Sequence, residues 1–186
     1  MFNKEAFIEA CAAAVKEGQA ATREVVTEAV SDPNGIVKEL GEPKKAGIDL
    51  LHRSDDLTVI NFIWSPYMTL IPHNHNMFAA IGVYNGREDN VFWKRTDDGL
   101  EAAGADSLGS GDVGTLGHSI IHSVTNPIGK FTAALHVYGG DFFEPDEPRS
   151  EWDHETLTER PWDVETTRKC FAEAEARFLA GLAAAE

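Results

Sequence analysis

The chain has 186 residues, enough for one domain with helical additions and a core that needs no disulfides, and nothing in it forces a second domain. With 42% hydrophobic and 25% charged residues, the composition is that of a soluble globular protein, and no apolar run reaches the length of a membrane helix. The formal charge of −15 argues against a nucleic-acid partner, because such affinity comes largely from lysine and arginine displacing counterions from phosphates.

The N-terminal segment MFNKEAFIEACAAAVKEG mixes acidic with apolar residues and lacks the basic leader and unbroken apolar stretch of a secretory signal, so a cytoplasmic location is expected. Ala6, Phe7, Ala10, Cys11, Ala14 and Val15 fall at spacings of three and four, which predicts a helix, and Gly18 separates it from a second ending near Val30. Ser31 to Gly47 contains SDPNG, GEP and KK, which is turn and loop chemistry. From about Ile48 to Tyr138 the short runs LTVINFIW, MFAAIGVY, NVFWKR and FTAALHVY, punctuated by glycine, asparagine and aspartate, predict around eight strands in a sandwich or closed barrel. A polar, proline-bearing excursion follows, and Asp163 starts a last helix. The expected organisation is a single domain, 1–186: helical cover and loop over 1–47, barrel over 48–140, loop and C-terminal helix over 141–186. Cys11 and Cys170, far apart in helix-like segments, are expected to be core thiols.

Five of the seven histidines lie between 73 and 136, inside the strand-rich region. Strand residues two apart point the same way, so His73 and His75 in PHNH can bind one ion from one face. Alone, such a pair is weak evidence, since polar surfaces carry H-x-H without metal. Its surroundings say more. Gly86 follows His75 by eleven residues, and GSGDVGTLGHSIIHSVTN places His122 eleven residues after Gly111 and four before Asn126.

These segments resemble the two cupin motifs, matching at His73, His75, Gly86, Gly111, Asp112, His122 and Asn126. Ala79 and Ala80 occupy the region of the common glutamate ligand, and Gly117 and Ser119 replace a proline and a glycine before the second-motif histidine. Within the cupins the order INFIW ending at Trp64, PHNH, HSVTN and ALHVY is similar to the thiol dioxygenases of the cysteine dioxygenase type, over roughly residues 48 to 140. The resemblance implies a mainly β cupin double-stranded β-helix with N-terminal helices and a C-terminal helix. It also implies a metal, Fe(II) first and Zn, Ni or Mn as alternatives, on His73, His75 and His122, with His136 and Tyr138 facing the pocket as catalytic groups. The implied reaction adds O2 to a small thiol to give a sulfinic acid. The alternatives are a metal-dependent cupin lyase, isomerase or carbon-cleaving dioxygenase, and a non-catalytic binding module. The expected partners are a small-molecule substrate and O2, with no nucleic acid and no membrane; the oligomeric state is not specified.

Three departures bear on the site. Ala134 stands where the family has the serine of a Ser-His-Tyr relay; Ala80 stands near a crosslinking cysteine, so no crosslink to Tyr138 is expected; and Gly47, Ile48 and Asp49 stand where a carboxylate-binding arginine should precede LLH. A substrate without a carboxylate is therefore expected, or an anion held by Arg53, Arg87 or Lys45. His118 is expected at a turn or pocket rim, His52 at a strand end, and His154 in solvent. Trp64, Phe78, Phe92, Trp93 and Phe131 are expected in the barrel core or wall, and Arg95 on the surface.

Overall fold

The computed structural model describes residues 1–97 and 99–183. Helix α1 (Lys4–Glu17) starts where the Asn3 side chain accepts a hydrogen bond from the Ala6 amide at 2.9 Å, and it ends at Gly18. Helix α2 (Gln19–Val30) follows directly. The expected loop after Ser31 is a third helix instead, α3 (Pro33–Leu40). Asp32 caps it by accepting from the Gly35 amide at 3.0 Å, and Pro33, whose missing N–H costs nothing in a first turn, sets its start. Such a cap stabilises a helix by about 1 kcal/mol, and the residues that supply it are the same ones that read as a turn.

Eleven strands come next: β1 (Gly47–Arg53), β2 (Thr58–Trp64), β3 (Thr69–Asn74), β4 (Ala79–Asn85), β5 (Arg87–Thr96), β6 (Gly99–Gly109), β7 (Val113–Leu116), β8 (Ile121–Thr125), β9 (Thr132–Tyr138), β10 (Ser150–Trp152) and β11 (Glu159–Pro161), closed by helix α4 (Val164–Ala183). The pairing is nested and antiparallel: β2 with β9, β3 with β8, β4 with β7 and β5 with β6. Successive pairs fall alternately into a five-stranded sheet, β1-β2-β9-β4-β7, and a six-stranded sheet, β11-β10-β3-β8-β5-β6. That winding is the double-stranded β-helix of the cupin fold class, with helices at both ends of the chain.

Strand alternation divides the five-stranded sheet into two faces. Val59, Ala80, Ala133, Leu135 and Val137 point outward and pack against Phe7, Cys11, Val26, Val30 and Ile36, so the three N-terminal helices cover a face that water would otherwise meet. Burying each large apolar side chain there contributes about 1.5–3 kcal/mol before conformational entropy is subtracted. Gly82 makes the close approach of α2 possible: a Cβ on it would stand 2.5 Å from Val26 and 2.6 Å from Val30. Cys11 is fully buried here, which pushes its thiol up to about 12, while Cys170 is half-buried on α4.

The inner face carries Ile60, Phe62, Trp64, Ala79, Ile81, Val83, Ala134 and Tyr138, which meet Leu70 and Val124 from the other sheet and Phe171 from α4. Gly86 turns the chain from β4 to β5 with φ +81, and a side chain there would collide with the Thr132 backbone at 2.9 Å. That turn delivers β5 to the opposite sheet, where Glu88 and Asn90 are buried. No helix among the described residues is long and apolar enough to cross a membrane.

Candidate metal centre

His73 lies on β3 and His122 directly opposite it on β8, while His75 follows one residue after β3 ends. The three are buried, and one donor atom from each lies within 4.8 Å of the others. His75 Nε2 and His122 Nε2 are 3.4 Å apart. Two imidazoles on one ion, each bonded at about 2.0–2.1 Å, would stand roughly 3.0–3.4 Å from each other, so the spacing fits a divalent ion.

The hydrogen bonds behind the rings set which nitrogen faces inward. His73 Nδ1 donates to the Ile71 carbonyl at 2.9 Å and His122 Nδ1 to Asn90 Oδ1 at 2.7 Å, leaving both Nε2 lone pairs for the centre. All three rings are held neutral. Burial pushes His73 down to about 3, with the Arg149 charge adding to it, and holds His75 and His122 well below the usual histidine range. Neutral, converging imidazoles are the form a metal needs.

His136 and Tyr138, two apart on β9, face the same cavity from the opposite sheet. Tyr138 packs its ring 5.0 Å from that of His75, and burial pushes its phenol far above the ordinary range, so it keeps its proton. Its hydroxyl lies 3.1 Å from His136 Nδ1, and His136 Nε2 lies 3.2 Å from Glu88 Oε2. Glu88, on β5, was not anticipated as a site residue. It has no exposed surface and takes two further hydrogen bonds, from Trp64 Nε1 at 3.0 Å and Asn90 Nδ2 at 3.1 Å. Ala134 offers no side-chain partner to His136, and the group that does approach its ring is this carboxylate from β5.

Arg149 is the second residue that sequence reasoning passed over. It comes from the polar excursion just before β10 and is 5% exposed. Its Nε donates to the Asn74 carbonyl and its Nη1 to the Phe142 carbonyl, while the guanidinium carbon lies 4.2 Å from the Phe142 ring and 3.9 Å from the Trp162 ring. Its Nη2 is the one buried side-chain nitrogen or oxygen without a hydrogen-bond partner among the described residues. Burial pulls its pKa down to about 9, which still leaves it charged at neutral pH. Phe142 and Trp162 close a cavity also lined by Phe62, Trp64, His73, His122, His136 and Tyr138. The free space is about 10 Å³, the room of about one water.

The other sequence candidates lie elsewhere. Arg53 is bonded to Asp141 and Glu144, and Arg87 is paired with Asp89, both toward solvent. Lys45 is exposed beside α4. None of the three points an unpaired charge at the histidines, whereas the buried Arg149 has a free Nη2. His118 is exposed near Glu147, His52 is half-buried on β1 and His154 is exposed. Trp64 forms cavity wall and, through its indole N–H, part of the Glu88 network. Phe92 packs against the core, Trp93 donates to Ser123, Phe131 meets Phe178 on α4, and Phe78 sits beside Gly139. Arg95 pairs with Glu159 above Trp152.

Together these define a cupin-fold barrel with a buried three-histidine cluster. No protein-family model and no curated protein sequence matches the chain. Solved structures similar to it include an uncharacterized conserved protein with a double-stranded beta-helix domain from Klebsiella pneumoniae, at 12% identity over 60% of this chain and 88% of that one, TM-score 0.45. An RmlC-like cupin family protein from Methanocaldococcus jannaschii is similar at 9% identity, over 53% of this chain and 84% of that one, TM-score 0.45. Oxalate decarboxylase from Bacillus subtilis is similar at 16% identity over 53% of this chain but only 24% of its own length, TM-score 0.42.

Proposed function

We propose that the protein is a metal-dependent dioxygenase, using non-haem Fe(II), that adds O2 to a small thiol carrying a carboxylate. The observation that supports it most is the cluster of three neutral, buried imidazoles with no carboxylate among the donors. An ion held this way keeps its double charge and open positions, which suits an anionic ligand such as a thiolate together with O2. A divalent ion held by His73, His75 and His122 would supply stabilisation of a deprotonated sulfur and a fixed position for it beside O2.

The protein's own groups do the rest. Tyr138 holds a protonated hydroxyl at the edge of the cluster, oriented by His136, where its oxygen can accept a hydrogen bond from a substrate group. Phe62, Trp64, Phe142 and Trp162 exclude water, and a small substrate enters only by displacing part of this aromatic wall. Arg149 Nη2 is an unpaired buried donor, which supports a carboxylate-bearing substrate over the carboxylate-free one expected from the sequence. Overall a thiol R–SH and O2 give R–SO2H. Both oxygen atoms end on sulfur, four electrons pass from sulfur to oxygen, and the thiol proton is retained as the acid proton.

The test is O2 uptake by Fe(II)-loaded protein with 3-mercaptopropionate, cysteine and cysteamine, with product mass recorded. One O2 consumed per thiol and a sulfinate product are expected. Tyr138→Phe should keep its metal and turn over roughly ten- to a thousandfold more slowly, the range for losing a positioned hydrogen-bonding or proton-transferring group. A metal-loaded protein that consumes no O2 with any small thiol contradicts the function, and unchanged turnover in the variant makes Tyr138 a packing residue.

A further inference from the structure

Glu88 is a carboxylate with no exposed surface, linked to the metal-ligand cluster through Asn90 and to the tyrosine through His136. A buried carboxylate persists in a core only where hydrogen bonds and positive charge compensate its lost hydration. The hydrogen bonds are in place: Oε1 accepts from Asn90 Nδ2, and Oε2 accepts from Trp64 Nε1 and His136 Nε2. The donor set of three neutral imidazoles provides no anion, and Ala79 and Ala80 leave none at the neighbouring end of β4. The other buried carboxylate among the described residues, Glu151 opposite His73, is already paired with Arg160.

The directions of the bonds follow from the geometry. Glu88 accepts at both oxygens, so the Asn90 amide turns its NH2 to Glu88 and its oxygen to His122. That oxygen then requires the hydrogen on His122 Nδ1, 2.7 Å away, and leaves Nε2 free to ligate. By the same rule His136 must carry a hydrogen on Nε2, which leaves Nδ1 to meet the Tyr138 hydroxyl. One carboxylate thus fixes the polarity of two hydrogen-bond chains, one ending on a metal ligand and the other on the phenol.

We infer that Glu88 is a positioning residue and the counter-charge of the metal centre, acting on the ion through Asn90 and His122 and on the phenol through His136. It replaces, from outside the ligand sphere and from another strand, the negative charge that a directly ligating glutamate would bring. The inference rests on the three-histidine metal site of the proposed function, and not on thiol oxidation.

Its test is metal affinity, measured by chelator competition with Co(II), together with the visible absorption of the Co(II) protein. Glu88→Gln keeps the shape and removes the charge, and Asn90→Ala cuts the arm to His122 while leaving the carboxylate on Trp64 and His136. Each is expected to weaken metal binding by about ten- to a hundredfold, the range for losing a partner behind a ligating histidine, and to shift the Co(II) spectrum, with the circular dichroism of the fold unchanged. If Glu88→Gln does not fold, Asn90→Ala decides alone. Wild-type affinity and spectrum in either folded variant overturn the inference. Failure of the unaltered protein to bind Co(II), Fe(II) or Zn(II) would remove the centre itself and the proposed function with it.

Discussion

His122→Ala is expected to leave a folded barrel that retains almost no metal after dialysis. The substitution removes one of three donors and strands the Asn90 carbonyl oxygen that the ring had satisfied. The remaining His73 and His75 come from one segment and cannot enclose an ion from two sides. Affinity should fall by more than the roughly ten- to hundredfold typical of losing a partner behind a ligand, and O2 consumption should fall with it. His118→Ala is the matched control, because that ring is exposed and lies 3.9 Å from Glu147. Metal analysis of both variants checks this; full metal in His122→Ala, with loss in His118→Ala, is the result that contradicts it.

Arg149→Met is expected to separate substrates by their charge. The unbranched thioether can keep the packing against Phe142 and Trp162 while removing the free Nη2 donor. A charge-assisted hydrogen bond contributes about 1.5–3 kcal/mol, and 1.4 kcal/mol is tenfold, so KM for 3-mercaptopropionate or cysteine should rise roughly ten- to a hundredfold. Cysteamine, which has no carboxylate, should be little affected. Arg149→Lys should not restore the wild type, since the fork that spans the Asn74 and Phe142 carbonyls while leaving a third donor free has no lysine equivalent. The variant also leaves those carbonyls unpaired, so some stability will be lost. The ratio between thiols, read on folded protein, is the informative quantity, and equal losses for all three would make Arg149 purely structural.

How far the sequence discloses this site depends on what each residue's neighbours look like. The strands were readable because short apolar runs alternate between glycine- and asparagine-bearing turns. The convergence of His73, His75 and His122 was readable because H-x-H and H-x-x-x-N each begin in a strand, β3 and β8, and run past its end. Asp32 and Pro33 misled, because N-cap chemistry and turn chemistry use the same residues, and only packing of Ile36 against the sheet tells them apart. Glu88 was hidden in NGREDN, which reads as a solvated hairpin. Its signal was the alternation of Glu88, Asn90 and Phe92 on one face of β5, opposite β8, visible only with the sheet order known. Arg149 sits in EPRSEW, a segment polar enough to look hydrated, and only the fold shows Phe142 and Trp162 enclosing it. Both omissions are charged residues buried by partners distant in sequence or strand order, which local pattern does not encode.

The central claim is that three histidines of one cavity hold one divalent ion. X-ray absorption at the metal edge, on protein loaded with one equivalent of Fe(II) and freed of excess, tests it most directly. The expected result is a first shell of nitrogen and oxygen at about 2.0–2.2 Å, with outer-shell scattering that requires three imidazoles and drops to two in His122→Ala. A first shell with no imidazole scattering, or one unchanged by the removal of His122, would contradict it.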